Sequence, residues 1–206
     1  MKLRSKSLPS LLFTGINPVI RLLIASDILI VGAAGMFAPL FALFVEDFIV
    51  GGNALVVSIA MGIFLIARSV LQIPVANTID AIKGETDDYL LMVVFSVLSG
   101  LSLLLYLVIE HPWQLYLVQL FLGISTAISA PTYMAIFTRH IDHNREGTEW
   151  GVYNTLTDLG SAALAVIAGY IATVFGFPTL IWIMSATSVA GALVLVPIRS
   201  YLRLRR

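Results

Sequence analysis

Six long apolar stretches constrain this chain more than any other feature. They cover about residues 19–45, 54–76, 89–109, 113–137, 150–174 and 178–197. About 20 apolar residues cross a bilayer as a helix, so each stretch is read as a spanning helix. The expected fold is an all-α membrane protein, a single domain over residues 1–206 with six transmembrane helices. The balance of residues agrees: 59% are hydrophobic and 12% charged, against about 25% charged in a typical soluble domain. The basic start "MKLRSKSLPSLLFTG" resembles the opening of a signal peptide. The apolar run behind it exceeds the usual h-region of about 7–15 residues and contains Asp27, so it is read as a retained span.

The connections set the orientation. "EDFIVGGN", "IEHP" and "FGFP" contain no Lys or Arg. Lys2, Arg4, Lys6, Lys83, Arg139, Arg145, Arg199, Arg203, Arg205 and Arg206 all fall on the other side. By the positive-inside rule both termini are cytoplasmic, in a multi-pass protein of the inner or plasma membrane. Trp113, Trp150 and Trp182 are expected near span ends, as aromatic belts. In "KGETDDY", Asp87 and Asp88 are expected to cap the third span and meet its dipole. The tail "RSYLRLRR" reads as a topology anchor, with anionic head groups as the other reading.

Three ionisable residues lie well inside the apolar stretches. Asp27 is eight residues into the first span, Arg68 eight residues before the inner end of the second, and Asp158 eight residues into the fifth. At about 1.5 Å per residue, all three stand roughly 12 Å from an inner end. An unpaired Arg in mid-membrane costs at least about 2.5–3.5 kcal/mol, so Arg68 is expected to pair with Asp27, Asp158 or both. Two acids and one base leave one negative charge, which a proton, a metal cation or a cationic solute group would balance. A cluster that only locks helices together is the alternative.

Polar neighbours repeat at helical spacing. Arg68 and Gln72 share a face, as do Asn154 and Asp158; Gln119, Gly123 and Thr126 mark one face of the fourth span. Spans one, two, four and five are expected to surround a polar interior that offers Asp27, Arg68, Gln72, Gln119, Asn154 and Asp158 to a solute. Spans three and six lack charge and are expected to face lipid. Gly35 and Pro39 in "GAAGMFAPLFA" correspond to Gly123 and Pro131 in "GISTAISAPTYMA". These are read as helix breaks lining the cavity, in a 3+3 inverted repeat. Ser161, Ala165 and Gly169 form a small-xxx-small stripe, for packing within the chain or for a dimer contact.

With six spans and both termini inside, the chain resembles one half of a major facilitator superfamily transporter. The local likeness lies in "PVANTIDAIKG", where Asp80 matches the family's cytoplasmic loop Asp while Ala76 and Ala81 depart from it. It also lies in "REGTEWGVYNTLTDLGSAALAVIAGYIATVFGF", with Gly147 and Gly169. No Gly-Pro antiporter signature occurs in "GSAALAVIAG". The resemblance implies a secondary transporter working by alternating access, proton- or cation-coupled. Its twelve-span members relate their halves by an axis along the membrane normal. Two copies inserted alike meet the same requirement, so the expected assembly is a parallel C2 homodimer. A heteromeric partner carrying the other half is the variant.

Other classes find less in the residues. There is no cysteine, and no G-x-S-x-G, H-E-x-x-H or P-loop motif, so no enzyme and no cofactor is expected. His140, Asp142 and His143 in "RHIDHNREG" read as a solvated loop, with no metal. Basic residues without aromatic interleaving give no nucleic-acid surface. A non-transporting membrane scaffold or assembly factor remains the alternative to a transporter of a small polar or cationic solute.

Overall fold

A computed structural model of the protein describes residues 16–81 and 84–202. Lys2, Arg4, Lys6, Lys83, Arg203, Arg205 and Arg206, which carry part of the orientation argument, lie outside the described residues. Helices account for almost all of the rest, and the described residues contain no strand. They are α1 (Pro18–Phe37), α2 (Phe41–Phe48), α3 (Ala54–Ala81), α4 (Thr86–Ser102), α5 (Pro112–His140) and α6 (Glu146–Val194). Short 3-10 turns follow α1 (Ala38–Leu40), α4 (Leu103–Leu107) and α6 (Val196–Ser200). Together they make five continuous helical stretches long and apolar enough to cross a membrane: Pro18–Phe48, Ala54–Ala81, Thr86–Leu107, Pro112–His140 and Glu146–Ser200.

The count of five reflects the last helix. At about 1.5 Å per residue its 49 residues would extend more than twice the roughly 30 Å hydrocarbon thickness if straight. It is not straight. Gly176 has φ 81° and ψ 166°, a backbone region open essentially to glycine alone, and Pro178 follows. The break divides α6 into two arms, residues 146–175 and 177–194, at the place where the sequence separates its fifth and sixth apolar stretches.

Each helix begins and bends for local reasons. Asn17 caps α1 by accepting from the Val19 N–H at 2.9 Å, with Pro18 at the first helical position. The Asn17 side-chain amide also donates to the His140 carbonyl at 3.2 Å, tying the start of α1 to the end of α5. Asn53 caps α3 by accepting from the N–H groups of Leu55 and Val56. Pro39 sits in the 3-10 turn that separates α1 from α2. Pro131 does not break α5, which runs on through it. Here Thr132 Oγ1 donates to the Ile128 and Ser129 carbonyls at 3.0 and 2.7 Å.

Two packed pairs build the protomer. α1 lies along both arms of α6, and α3 lies along α5, while α4 touches α5 and α6 and joins the pairs. α1 and α5 meet only slightly. Glycines set the close approaches. A Cβ on Gly123 would stand 2.6 Å from the Phe64 carbonyl oxygen of α3 and 2.9 Å from Ala67 Cβ. A Cβ on Gly35 would meet Ser161 Cβ at 3.1 Å. Buried hydroxyls join helices where glycine exposes a carbonyl: Ser26 Oγ donates to Gly191 and Ser185 Oγ to Gly100, each at 2.8 Å.

Several expectations change here. The third apolar stretch packs on the bundle along one face, where Gly100 and Tyr106 are buried and Tyr106 packs on Phe37 at 5.0 Å between ring centroids, while Leu90, Val94, Leu98, Leu101 and Leu105 are exposed on the other. The second is the least buried of the five. Gly35 and Gly123 are helix-packing positions rather than breaks, because their missing side chains make room for a neighbouring helix. Trp113 and Trp182 are exposed, as an interfacial belt requires. Trp150 instead stacks inward on Phe137, 4.4 Å between centroids.

Candidate functional site: a carboxylate held by tyrosine in the spans

Asp27 lies nine residues into α1, about 14 Å along the helix from Pro18. Its neighbours on the helix determine what it can reach. Ser26 turns toward the second arm of α6 and bonds Gly191. Asp27 follows about 100° further round and reaches the first arm. There the Tyr153 hydroxyl donates to Asp27 Oδ2 at 2.9 Å. Tyr133 of α5 lies near the same carboxylate, and its buried hydroxyl makes no hydrogen bond there. Tyr133 and Tyr153 each lie seven residues from a helix end, His140 and Glu146 respectively, so three helices place their polar atoms in one layer.

An aromatic wall backs the carboxylate. Tyr133 and Tyr153 have centroids 6.0 Å apart, Phe137 contacts both, and Trp150 closes the group at 5.5 Å from Tyr153. A half-buried carboxylate with one phenol donor and aromatic rings nearby suits a cation. The charge supplies attraction, and the ring faces add about 0.5–2 kcal/mol per cation–π contact. A protonated amine or guanidinium satisfies both.

The other sequence-predicted residues divide. Asp158 is exposed one and a half turns beyond Tyr153 on the same arm, and its charge acts on the Tyr153 phenol. Asn154 is exposed beside it, and Gln72 is half-buried on α3. Arg68 is half-buried, and among the described residues it makes no hydrogen bond or ion pair. The expected pairing of Arg68 with Asp27 or Asp158 is therefore not formed within the protomer. The reason is topological: α3 packs on α5, not on α1 or α6. Gln119 stands apart from Asp27 in its bonding. It is buried and donates to the Tyr106 hydroxyl at 3.1 Å, joining α5 to the turn after α4. Pro131 is buried, Pro39 is exposed, and Asp80 is exposed at the end of α3.

A second group of charges gathers at the helix ends around His140. Arg139 pairs with Asp88, whose side chain is only 2% exposed. His140 Nε2 lies 3.9 Å from Glu85, and Arg145 lies 3.7 Å from Asp142. Asp88 thus joins two helices instead of capping its own, although it stands with Asp87 in the first turn. His140 is half-buried and engaged, so it departs from the expected solvated loop, whereas His143 is exposed.

Sequence reasoning singles out Asp27 and does not single out the two tyrosines beside it. The available signal was depth, since Tyr133 and Tyr153 each lie seven residues from a helix end, close to the level counted for Asp27.

The family model described as Major Facilitator Superfamily matches residues 23–204. The chain is also similar to an uncharacterized MFS-type transporter of Methanocaldococcus jannaschii, with 28% identity over 142 residues. That alignment covers 69% of this chain and 35% of the relative, so the chain reaches over about a third of the relative's length.

Proposed function

Because this chain belongs to the major facilitator superfamily, we propose that it is a secondary active transporter of a small cationic or polar solute, with Asp27, Tyr133 and Tyr153 at the binding site. The carrying observation is the Asp27 carboxylate deep in a spanning helix, held by one phenol and backed by aromatic rings. Ionisable groups at such depth are costly and mark solute or proton pathways. The break at Gly176 favours six crossings over five, with both termini cytoplasmic and a 3+3 inverted repeat. Pro39 lies at a backbone break and Pro131 does not, so the proposed repeat is asymmetric at these two prolines.

In this reading the protein works as a parallel homodimer. The slight contact between α1 and α5 leaves these two helices free to line a central cavity shared with a second copy. Rocking of one copy against the other gives alternating access, driven by a proton or cation gradient.

Purified protein in lipid nanodiscs, screened against small amines, guanidines and neutral polar solutes, tests the substrate class. Binding raises the melting temperature by mass action. Hits are then measured for gradient-driven uptake in proteoliposomes. Uptake of a cation by the wild type, abolished in folded Asp27→Asn, is the expected result. Uptake unaffected by Asp27→Asn, or binding without any uptake, would overturn it, the latter in favour of a scaffold.

A further inference from the structure

Arg68 and Asp158 are both within spans, and neither has a partner in its own protomer among the described residues. They stand at one depth. Arg68 is thirteen residues before Ala81, and Asp158 is twelve residues after Glu146, which is about 20 and 18 Å from the respective helix ends.

The surroundings of Asp158 indicate what covers it. The first arm of α6 has two unlike faces. One presents Leu159, Val166, Ile167 and Tyr170, all exposed and suited to acyl chains. The other presents Gly151, Thr155, Asp158, Ala162 and Gly169 at helical spacing. A Cβ on Gly151 or Gly169 would meet nothing within 4 Å. A carboxylate turned to lipid is expensive, and a face of small side chains admits another helix closely.

The occupant that fits is a second copy of this chain. Within the protomer α3 flanks α5 and the first arm of α6 flanks α1, which gives the lateral order α3, α5, α1, α6. A two-fold axis along the membrane normal, placed between α5 and α1, reverses that order in the other copy. It sets α3 against the partner's first arm, at two symmetric places. We propose that Arg68 of each copy pairs there with Asp158 of the partner subunit. This inference rests on the dimeric reading above. It also divides the charges: the pair neutralises Arg68 and Asp158, and Asp27 is left to the solute.

The chain contains no cysteine, so introduced cysteines report alone. Two differently tagged copies, one Arg68→Cys and one Asp158→Cys, are co-expressed and oxidised in native membranes. A disulfide joining the two tags is expected, with little product when either variant is expressed alone. Arg68→Asp or Asp158→Arg alone should weaken dimerisation about tenfold or more, since like charges are then juxtaposed. The Arg68→Asp/Asp158→Arg double variant should restore it. A dimer by native mass, with neither the mixed disulfide nor rescue by the charge swap, would overturn the pairing and leave the dimeric reading standing. A monomer in native lipid would overturn both.

Discussion

The Tyr153 hydroxyl and Asp27 Oδ2 stand 2.9 Å apart, joining α1 to the first arm of α6 through a hydrogen bond between two spans. Removing the donor leaves the carboxylate with less support while keeping the ring. Tyr153→Phe should therefore fold, retain the aromatic wall, and bind a cationic solute about 3- to 10-fold differently from wild type. That change corresponds to roughly 0.6–1.4 kcal/mol for one hydrogen bond. Asp27→Asn should abolish binding of the same solute. Titration by melting shift in nanodiscs checks both, and equal affinity in all three proteins would contradict the site.

Arg139 and Asp88 form a tie of a different kind, at the helix ends. Asp88 is almost fully buried, so Arg139→Ala strands a carboxylate without its counter-charge. Breaking such a pair costs roughly 3 kcal/mol, and the melting temperature should fall by several degrees. Asp88→Asn in the Arg139→Ala background should recover part of the loss, because the stranded charge is gone. No recovery in thermal melts would show that the charge is not what matters.

Glycine positions offer a paired control on helix packing. Gly123→Val should separate α3 from α5, since even a Cβ there meets the Phe64 carbonyl oxygen at 2.6 Å. Gly62→Ala, where a Cβ meets nothing within 4 Å, should be neutral or stabilise the helix by up to about 1 kcal/mol. Expression level and melting temperature in detergent distinguish the two. Equal tolerance would contradict the close approach.

Gly176 gives the most local test. With φ at 81°, Gly176→Ala must adopt a backbone conformation that costs about 1–3 kcal/mol. A lower melting temperature is expected. Gly51→Ala, also at positive φ but in an open turn with nothing within 4 Å, should show the backbone term alone. A Gly176→Ala protein as stable as wild type would remove the break as a required feature.

The apolar stretches and the position of the last break were legible in the sequence, because length and hydropathy act residue by residue. Contacts between helices were not. Asp27, Arg68 and Asp158 were placed in one layer from counting alone, and counting cannot say which helices touch. The structure puts α3 beside α5, which separates Arg68 from both acids. Gln119 looked like cavity lining because it is polar and deep, yet the same polarity is satisfied by a buried phenol, Tyr106. Tyr133 and Tyr153 were overlooked since tyrosine reads as an amphipathic surface residue. Only the packing of α1, α5 and α6 gathers both rings beside one carboxylate and turns the Tyr153 phenol onto it. The third stretch reads as lipid-facing because it lacks charge, and its row of exposed leucines agrees, while the Ser185–Gly100 hydrogen bond fastens its other face to the second arm of α6.

Ser26 and Asp27 are consecutive, and they hold the two arms of α6 by unlike means. The serine grips a backbone carbonyl, which no solute displaces. The aspartate accepts from a phenol through Oδ2 and keeps further lone pairs on which a cation would draw. In the proposed transporter a cation at Asp27 would act on the tie to the first arm and leave the tie to the second unchanged, so the first helix would tilt about the Ser26–Gly191 bond.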